Sequence, residues 1–299
     1  MSRRTSLLAS IEEATSLVKD GDTLGIGGFV TTNKPMAVLR HLMKERRRNL
    51  SIIAFPSSLE IDMMIALDMV KQLTVPYVGA ESFAPVAPIY SKYVSEDRLE
   101  IREVDLSTVL FMLRAKMQGL PFMPTRSVSG TSLPELNPLY RRIEDPFGGP
   151  PLYAVPPAEI DVAIIHAAQA DEYGNVQHVG APFADAMFAH VAKKVIVQVE
   201  RVVSNEEIRR QPLATTIPSG TVSAVVLAPY GAHPFASQNH YQVDGQHLKE
   251  YLRVAKGLVE GNTKGFEEYV DKYIDSPSSL PQYLQTVGFE RILSLGLEE

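Results

Sequence analysis

The segment Thr23-Leu24-Gly25-Ile26-Gly27-Gly28-Phe29 is a short apolar stretch that ends in glycines, as expected of a buried strand that runs into a loop. An amphipathic pattern over residues 7–19 precedes it, and Pro35 begins a helical pattern from Met36 to Arg46. The same succession continues with a predicted strand at 50–55, a helix at 61–69 and a strand at 73–78. Apolar stretches that do not alternate with polar residues and are separated by helices predict an α/β fold, a parallel sheet flanked by helices.

Beyond residue 80 the pattern becomes less regular but keeps its character. A helix is predicted over Leu106 to Gln118, and the proline-rich stretch 119–157 is predicted to be mostly loop. Three more buried strands are predicted at 161–166, 194–199 and 222–228. From Tyr241 onward the pattern is helical. We therefore predict one α/β domain over residues 1–240 and a helical C-terminal extension over residues 241–299 that packs on it.

The composition excludes several classes of protein. The chain has no cysteine, which excludes disulfides, thiol nucleophiles and cysteine-ligated metals. Its formal net charge of −6 lacks the basic character expected of a nucleic-acid-binding protein. Because no paired-histidine motif occurs, we predict no metal site. No segment is apolar and long enough for a signal or a membrane span, so we expect a soluble cytoplasmic protein without a membrane partner.

Candidate site residues follow the predicted strands, because ligands of parallel α/β sheets bind beyond the carboxyl ends of the strands. The loop formed by Gly25, Gly27, Gly28 and Phe29 allows close backbone approach and could direct N–H groups at a ligand oxygen. Val30 stands where a dinucleotide-binding fingerprint requires a third glycine, and no phosphate-loop Gly-Lys-Ser/Thr follows. A tight turn without a ligand is the alternative interpretation.

Four charged side chains each have both a functional and a structural interpretation. Glu60 and Asp62 stand at a predicted helix start, where carboxylates also simply complement the helix dipole. Glu81 lies in an apolar loop that could desolvate it and raise its pKa, or it is a solvated loop carboxylate. Arg126 is either a clamp for a carboxylate or phosphate, or a structural ion-pair partner.

Two histidines also end or follow predicted strands. His166 closes the strand at 161–166, where a hydrogen-bonded core residue is a more common role than a catalyst. His233, directly before Pro234, is interpreted in the same way as a residue that braces a turn.

Collinear segments over some 210 residues resemble the alpha subunit of class I coenzyme A transferases of the glutaconate type. The matching segments are Asp20 to Thr23 with Gly28-Phe29, Leu50 to Asp62, Gly119 to Arg126 with Gly130-Thr131, Asp161 to Asp171, Gly174 to Gln177, Lys194 to Glu200, and Gly231 to Pro234.

The resemblance implies a fold shared with ribose-5-phosphate isomerase-like enzymes and a site between paired alpha and beta subunits. It implies coenzyme A as a substrate, no tightly bound cofactor, and a glutamate nucleophile in a Ser-Glu-Asn-Gly segment of the beta subunit. That glutamate forms an acyl anhydride and then a glutamyl-CoA thioester. This chain contains no Ser-Glu-Asn-Gly and has Phe55 to Glu60 at the corresponding place, so we predict that a beta-type partner supplies the nucleophile.

The predicted site combines residues that follow the predicted strands with residues that the family resemblance implies. Glu81 and Glu103 are the candidate carboxylates within this chain. A Ser-Gly-Gly-x-x-Asp element of the alpha subunits stands here as Ser57 to Asp62, with Ser58 and Leu59 in place of the glycines. The predicted substrate and coenzyme A contacts are Gly25, Gly27, Gly28, Phe29, Ser57, Asp62, Gly79, Ser82 and Arg126. The alternatives are a role within a ring-cleaving or thioester acyl-CoA hydrolase of the same family, and a non-catalytic role in assembly.

Overall fold

Seven parallel strands form the centre of the structure, a computed structural model that describes residues 5–297. The strands are β1 Thr23–Ile26, β2 Leu50–Ala54, β3 Val70–Val75, β4 Glu100–Glu103, β5 Met123–Thr125, β6 Arg141–Ile143, β7 Leu152–Val155, β8 Val162–Asp171, β9 Val176–Gln177, β10 Lys194–Val203, β11 Thr215–Ile217 and β12 Ala224–Leu227. The helices are α1 Ile11–Thr15, α2 Met36–Glu45, α3 Leu59–Ala66, α4 Pro88–Ser95, α5 Leu106–Met117, α6 Leu133–Leu136, α7 Asp185–Val191, α8 Asn205–Arg210, α9 Gly245–Val259, α10 Thr263–Val270, α11 Leu280–Val287 and α12 Phe289–Ser294. A 3₁₀ turn, Pro212–Ala214, and a π-helical turn, Asp271–Asp275, complete the elements.

The parallel strands lie in the order β12-β10-β8-β1-β2-β3-β4. Strands β9 and β11 extend the far end of β8 in antiparallel pairing. The predicted parallel α/β sheet with a helical C-terminal part is therefore confirmed.

The apolar strands have no alternation because both faces of the sheet are buried. Leu24 and Ile164 belong to the core on the side of α2, α3 and α9. Ala163 and Ile165, on either side of Ile164 in β8, belong to the second core, on the side of α5 and α7. Successive side chains of a strand point to opposite faces, so a two-sided core requires a continuous apolar run.

Several predicted bounds in the first half were wrong, among them those of the helix at 61–69, which the structure places at Leu59–Ala66. Helix α1 is shorter than the predicted 7–19 because Ser10 and Glu13 form a reciprocal capping box that begins it at Ile11, and Leu8 bridges to Val225 of β12. Strand β3 begins three residues before its predicted start because it pairs there with β2 and β4. The exposed Lys71 interrupts the apolar pattern, so this part of the strand was not recognised. The pattern also missed α4 and β4.

The proline-rich stretch 119–157 is more ordered than predicted. Strands β5, β7 and β6 form a separate three-stranded antiparallel sheet within it. Each strand has only three or four residues, which is too short for a periodicity to be recognised in the sequence.

The C-terminal helices begin at Gly245 rather than at Tyr241, with the Asp244 side chain accepting from the amide of His247. Leu248 and Ala255 of α9 share one buried core with α2 and α3. The division into an α/β domain over residues 1–240 and a C-terminal extension over residues 241–299 stays a prediction. No helix within residues 5–297 is long and apolar enough to cross a membrane.

Candidate functional site

The loops after β1 and β2 are joined by a buried lysine at the carboxyl end of the sheet. Lys34 Nζ lies 3.1 Å from Glu60 Oε1, and both side chains are completely buried. The same ammonium lies 3.2 Å from Ser57 Oγ and within 3.4 Å of the carbonyl oxygens of Gly27 and Pro56. Because β1 and β2 are paired in parallel, the two loops that follow them lie side by side. The ion pair therefore fixes the loop that carries Ser57 relative to the glycine loop.

Glu60 is a structural ion-pair partner here and not only a helix-start carboxylate. Its two oxygens accept from the amide of Ser58 at 3.2 and 3.0 Å, in addition to the contact with Lys34. Ser58 Oγ is buried and has no hydrogen-bond partner among the described residues. Lys34 was not among the predicted site residues. Its position between a buried strand and the helix-starting Pro35 is the signal that could have identified it.

The glycine loop does not offer free amide donors in this chain. The amide of Gly27 donates to Ile164 O, and that of Gly28 donates to Asp185 Oδ1 at 2.8 Å. The next two amides, of Phe29 and Val30, donate to loop carbonyl oxygens. The amides of Gly27, Gly28 and Phe29 are thus engaged by acceptors elsewhere in the chain and are not directed at a ligand oxygen, while the predicted substrate and coenzyme A contacts of this loop stay predictions.

Two of these glycines are required by close packing. A Cβ on Gly25, inside β1, would lie 2.8 Å from the ring of Phe188. A Cβ on Gly27 would lie 2.8 Å from Asp185 Oδ1. Behind the loop, Asp185 also contacts His178 Nε2 at 3.3 Å, so a buried polar chain supports it. Sequence reasoning missed Asp185 and His178.

Phe29 lies at the mouth of this loop in an aromatic group. Its ring stacks on Phe183 at 5.0 Å between centroids and tilts against Phe55 at 5.6 Å. Phe29 remains partly accessible. It can therefore offer an apolar contact at the edge of the sheet.

The loop after β3 is tied to the loop after β2. The amide of Gly79 donates to Ser57 O, and the amide of Ser57 donates to Tyr77 O. A side chain on Gly79 would collide with the Tyr77 hydroxyl and with Pro85 O. Glu81 and Ser82 follow and are exposed. In this chain Glu81 is thus a solvated loop carboxylate, the second of its two interpretations.

Glu103 ends β4 at the same edge, and Arg126 follows β5 of the separate three-stranded sheet. Glu103 has an exposed side chain, and its carbonyl oxygen accepts from Asn137 Nδ2. Arg126 Nη2 lies 2.8 Å from Asp145 Oδ2, and its side chain is 52% exposed. The pairing favours the structural interpretation of Arg126, while its exposure leaves the guanidinium available to a ligand.

A Coenzyme A transferase family profile matches residues 8–228 of the chain. The chain belongs to this coenzyme A transferase family. It is 31% identical over 294 residues to the A subunit of glutaconate CoA-transferase from Acidaminococcus fermentans, covering 93% of this chain and 90% of the relative. The crystal structure of glutaconate coenzyme A-transferase from the same organism superposes with a TM-score of 0.92 at 29% identity, over 98% of this chain and 96% of that one.

A hydrolase component is also among the relatives of this coenzyme A transferase chain. The cholesterol ring-cleaving hydrolase IpdA subunit of Mycobacterium tuberculosis is 28% identical over 274 residues, covering 89% of this chain and 92% of the relative. The family match and the similarity to glutaconate CoA-transferase confirm the resemblance to coenzyme A transferases that the sequence predicted.

Asp62 of the transferase chain lies away from these loops, on the far side of α3. Its carboxylate accepts from the amide of Tyr90 at 2.6 Å and from the hydroxyl of Tyr251 at 2.9 Å. Burial raises the pKa of Asp62 to about 7. Both oxygens are occupied by α4 and α9, so in this chain Asp62 links helices. Its predicted substrate contact stays a prediction.

His166 does not end its strand, because β8 continues to Asp171. Its Nε2 lies 3.2 Å from Glu200 Oε1 and its Nδ1 lies 2.8 Å from Gln198 Nε2. Although burial opposes the charge, hydrogen bonds from His166, Tyr241 and the amide of Tyr230 lower the pKa of Glu200. The interpretation of His166 as a hydrogen-bonded core residue therefore describes the structure.

His233, Asp244 and His247 form a buried group whose ligand-type atoms lie within 4.8 Å of one another. His233 Nε2 contacts Asp244 Oδ2 at 3.0 Å, and Arg291 donates to Asp244 Oδ1 at 2.6 Å. Burial lowers the pKa of both histidines, and hydrogen bonds hold the pKa of Asp244 low despite burial. The adjacent Arg291 already neutralises the single carboxylate, which disfavours a divalent cation.

Proposed function

We propose that the chain is the alpha-type subunit of a heteromeric CoA-transferase that moves coenzyme A between an acyl-CoA and a small carboxylic acid. The similarity to one component of glutaconate CoA-transferase over nine-tenths of both chains supports this function. The proposal includes a beta-type partner subunit, coenzyme A as a substrate rather than a resident cofactor, and a cytoplasmic location.

The burial of Glu60 is the observation that supports a nucleophile on a second chain. Glu60 is the carboxylate nearest to the place of the Ser-Glu-Asn-Gly segment, and it is buried against Lys34. A nucleophile must reach the thioester carbonyl, which a fully enclosed ion pair cannot do. The reactive glutamate is therefore proposed to come from the partner, facing the loops that carry Ser57, Gly79 and Phe29.

In the proposed reaction, the partner's glutamate attacks the thioester carbonyl, and the C–S bond breaks to release the CoA thiolate. The thiolate then attacks the glutamyl carbonyl of the resulting anhydride and releases the first acid. The acceptor carboxylate repeats these two steps in reverse. This chain would contribute the Phe29 contact, the Ser57 loop and the exposed guanidinium of Arg126 for the substrate carboxylate.

The test is activity of the full-length chain with and without its partner. We expect no CoA transfer by the chain alone, and transfer that depends on both an acceptor acid and the beta-type chain in the complex. Reduction of the complex with borohydride after incubation with acyl-CoA should modify a glutamate of the partner, in line with a glutamyl-CoA thioester. Full transfer activity of the isolated chain would refute the proposal.

The similarity to the ring-cleaving hydrolase component supports a second candidate. In that case an exposed carboxylate, Glu103 or Glu81, would activate water. Product formation without any acceptor acid, lost in E103Q or E81Q, would support this hydrolase over the transferase. Turnover that requires the acceptor acid would exclude it.

A further inference from the structure

A cleft of about 330 Å³ lies between α1, α2 and α11, apart from the loops described above. Ile11, Leu227 and Leu280 contribute apolar wall. The wall formed by residues 277–283 lies beyond residue 228, where the family match ends. The volume of the cleft falls at the lower end of the range of roughly 300–1,000 Å³ that is typical of small-molecule sites.

Two cations from one face of α2 line this cleft. Arg40 and Lys44 are four residues apart, so they are neighbours on the helix surface. Arg40 is 7% exposed, donates to His233 O at 2.8 Å and stacks 3.4 Å above the ring of Tyr283. Lys44 Nζ donates to Pro277 O at 2.7 Å.

Neither cation has a carboxylate partner within residues 5–297. Their hydrogen-bond acceptors, His233 O and Pro277 O, are neutral carbonyl oxygens. A shielded cation without a counter-ion is unfavourable, and two like charges four residues apart on a helix repel each other. Arg40 is buried and Lys44 is partly buried, so an anion bound between them would offset both effects.

The remaining ionisable lining limits the charge of that anion. Glu12 contributes one negative charge, and His41 lies 3.7 Å from Glu45 Oε1. Glu12 offsets one of the two positive charges of Arg40 and Lys44, and one bound monoanion would balance the other. We infer that this cleft binds a monocarboxylate with a short apolar chain, its carboxylate at Lys44 and Arg40 and its chain against Leu227 and Leu280.

The inference does not depend on the proposed transferase function, and calorimetry of the full-length chain tests it directly. Straight-chain monocarboxylates from acetate to hexanoate should bind, while the corresponding neutral amides should not. We expect K44M to weaken binding at least about tenfold, which is about 1.4 kcal/mol, because it removes the charge but keeps the side-chain length. K44R should retain binding, which separates the charge from a merely structural role.

Two controls separate this cleft from other carboxylate sites. Lys264 has a side chain that is 83% exposed outside the cleft, so K264M should leave affinity unchanged. R126A, in the loop after β5, should also leave the affinity unchanged, whereas a carboxylate bound at the proposed substrate site would respond.

Four results would overturn the inference. They are absence of binding at several millimolar acid, equal affinity of K44M and the native chain, stronger binding of inorganic phosphate than of any carboxylate, and loss of binding when the beta-type partner is added. The last result would assign the cleft to the partner subunit instead.

Discussion

Lys34 Nζ lies 3.1 Å from Glu60 Oε1, and neither side chain has any exposed surface. The two residues are 26 positions apart and meet because β1 and β2 are adjacent parallel strands. A buried ion pair is strongly destabilised when only one partner is removed, because an uncompensated charge remains. This pair therefore controls the geometry of the loops at the candidate site.

The first prediction concerns this pair. K34M should lower the free energy of unfolding by about 3–5 kcal/mol because Glu60 is left buried without its partner. The double variant K34M/E60M should be no less stable than K34M, since it leaves neither charge unpaired. Urea denaturation of the native chain, K34M, E60M and K34M/E60M measures the coupling. Strictly additive effects would contradict the assigned ion pair.

The second prediction separates backbone strain from a collision at the glycine loop. Gly21 and Gly28 both have positive φ, +85° and +78°, but only at Gly28 would a Cβ meet backbone oxygens, one of them Thr32 O at 2.6 Å. G21A should cost about 1–2 kcal/mol from strain alone. G28A should cost at least about 2 kcal/mol more. Thermal and urea unfolding report the difference, and equal losses would show that the loop adapts.

The third prediction is a pH dependence that arises from Asp62. Its pKa is raised by burial to about 7, so the fold favours the protonated acid. The stabilisation is full below the ordinary pKa near 4 and is lost as the pH rises through 7. D62N cannot ionise, so its stability relative to the native chain should rise by a few kcal/mol between pH 5 and pH 8. A constant difference across that range would show that Asp62 stays ionised in the fold.

The fourth prediction concerns Arg126, which is exposed and paired with Asp145. Since exposed ion pairs contribute little, R126A should change the free energy of unfolding by less than about 1 kcal/mol. In the complex with the beta-type partner, it should raise the KM for the acceptor acid at least about tenfold. R201A is a matched control, because Arg201 is 59% exposed and paired with Glu207 at 3.2 Å. An unchanged KM in R126A would leave Arg126 as a structural residue.

Within the sheet, burial on both faces made the pattern reliable. Strands such as β8 and β10 were recognised because apolar residues occupy both faces along their length. Their ends were less certain: β8 continues past His166 because β10 pairs with it as far as Asp171. Short edge elements, including β4 and the three-stranded sheet within 119–157, carried too few residues for a pattern to form.

The sequence by itself determined the parallel α/β class and the coenzyme A transferase family, because buried apolar runs and collinear motifs are properties of the chain order. Only the tertiary structure decided which site residues are free to act. In the fold, the amides of the glycine loop are hydrogen-bonded within the chain, and Glu60 is buried against Lys34. Asp62 contacts α4 and α9, and Glu81 is exposed to solvent. These outcomes depend on contacts between residues far apart in the chain, and sheet register and helix packing establish such contacts where local spacing does not.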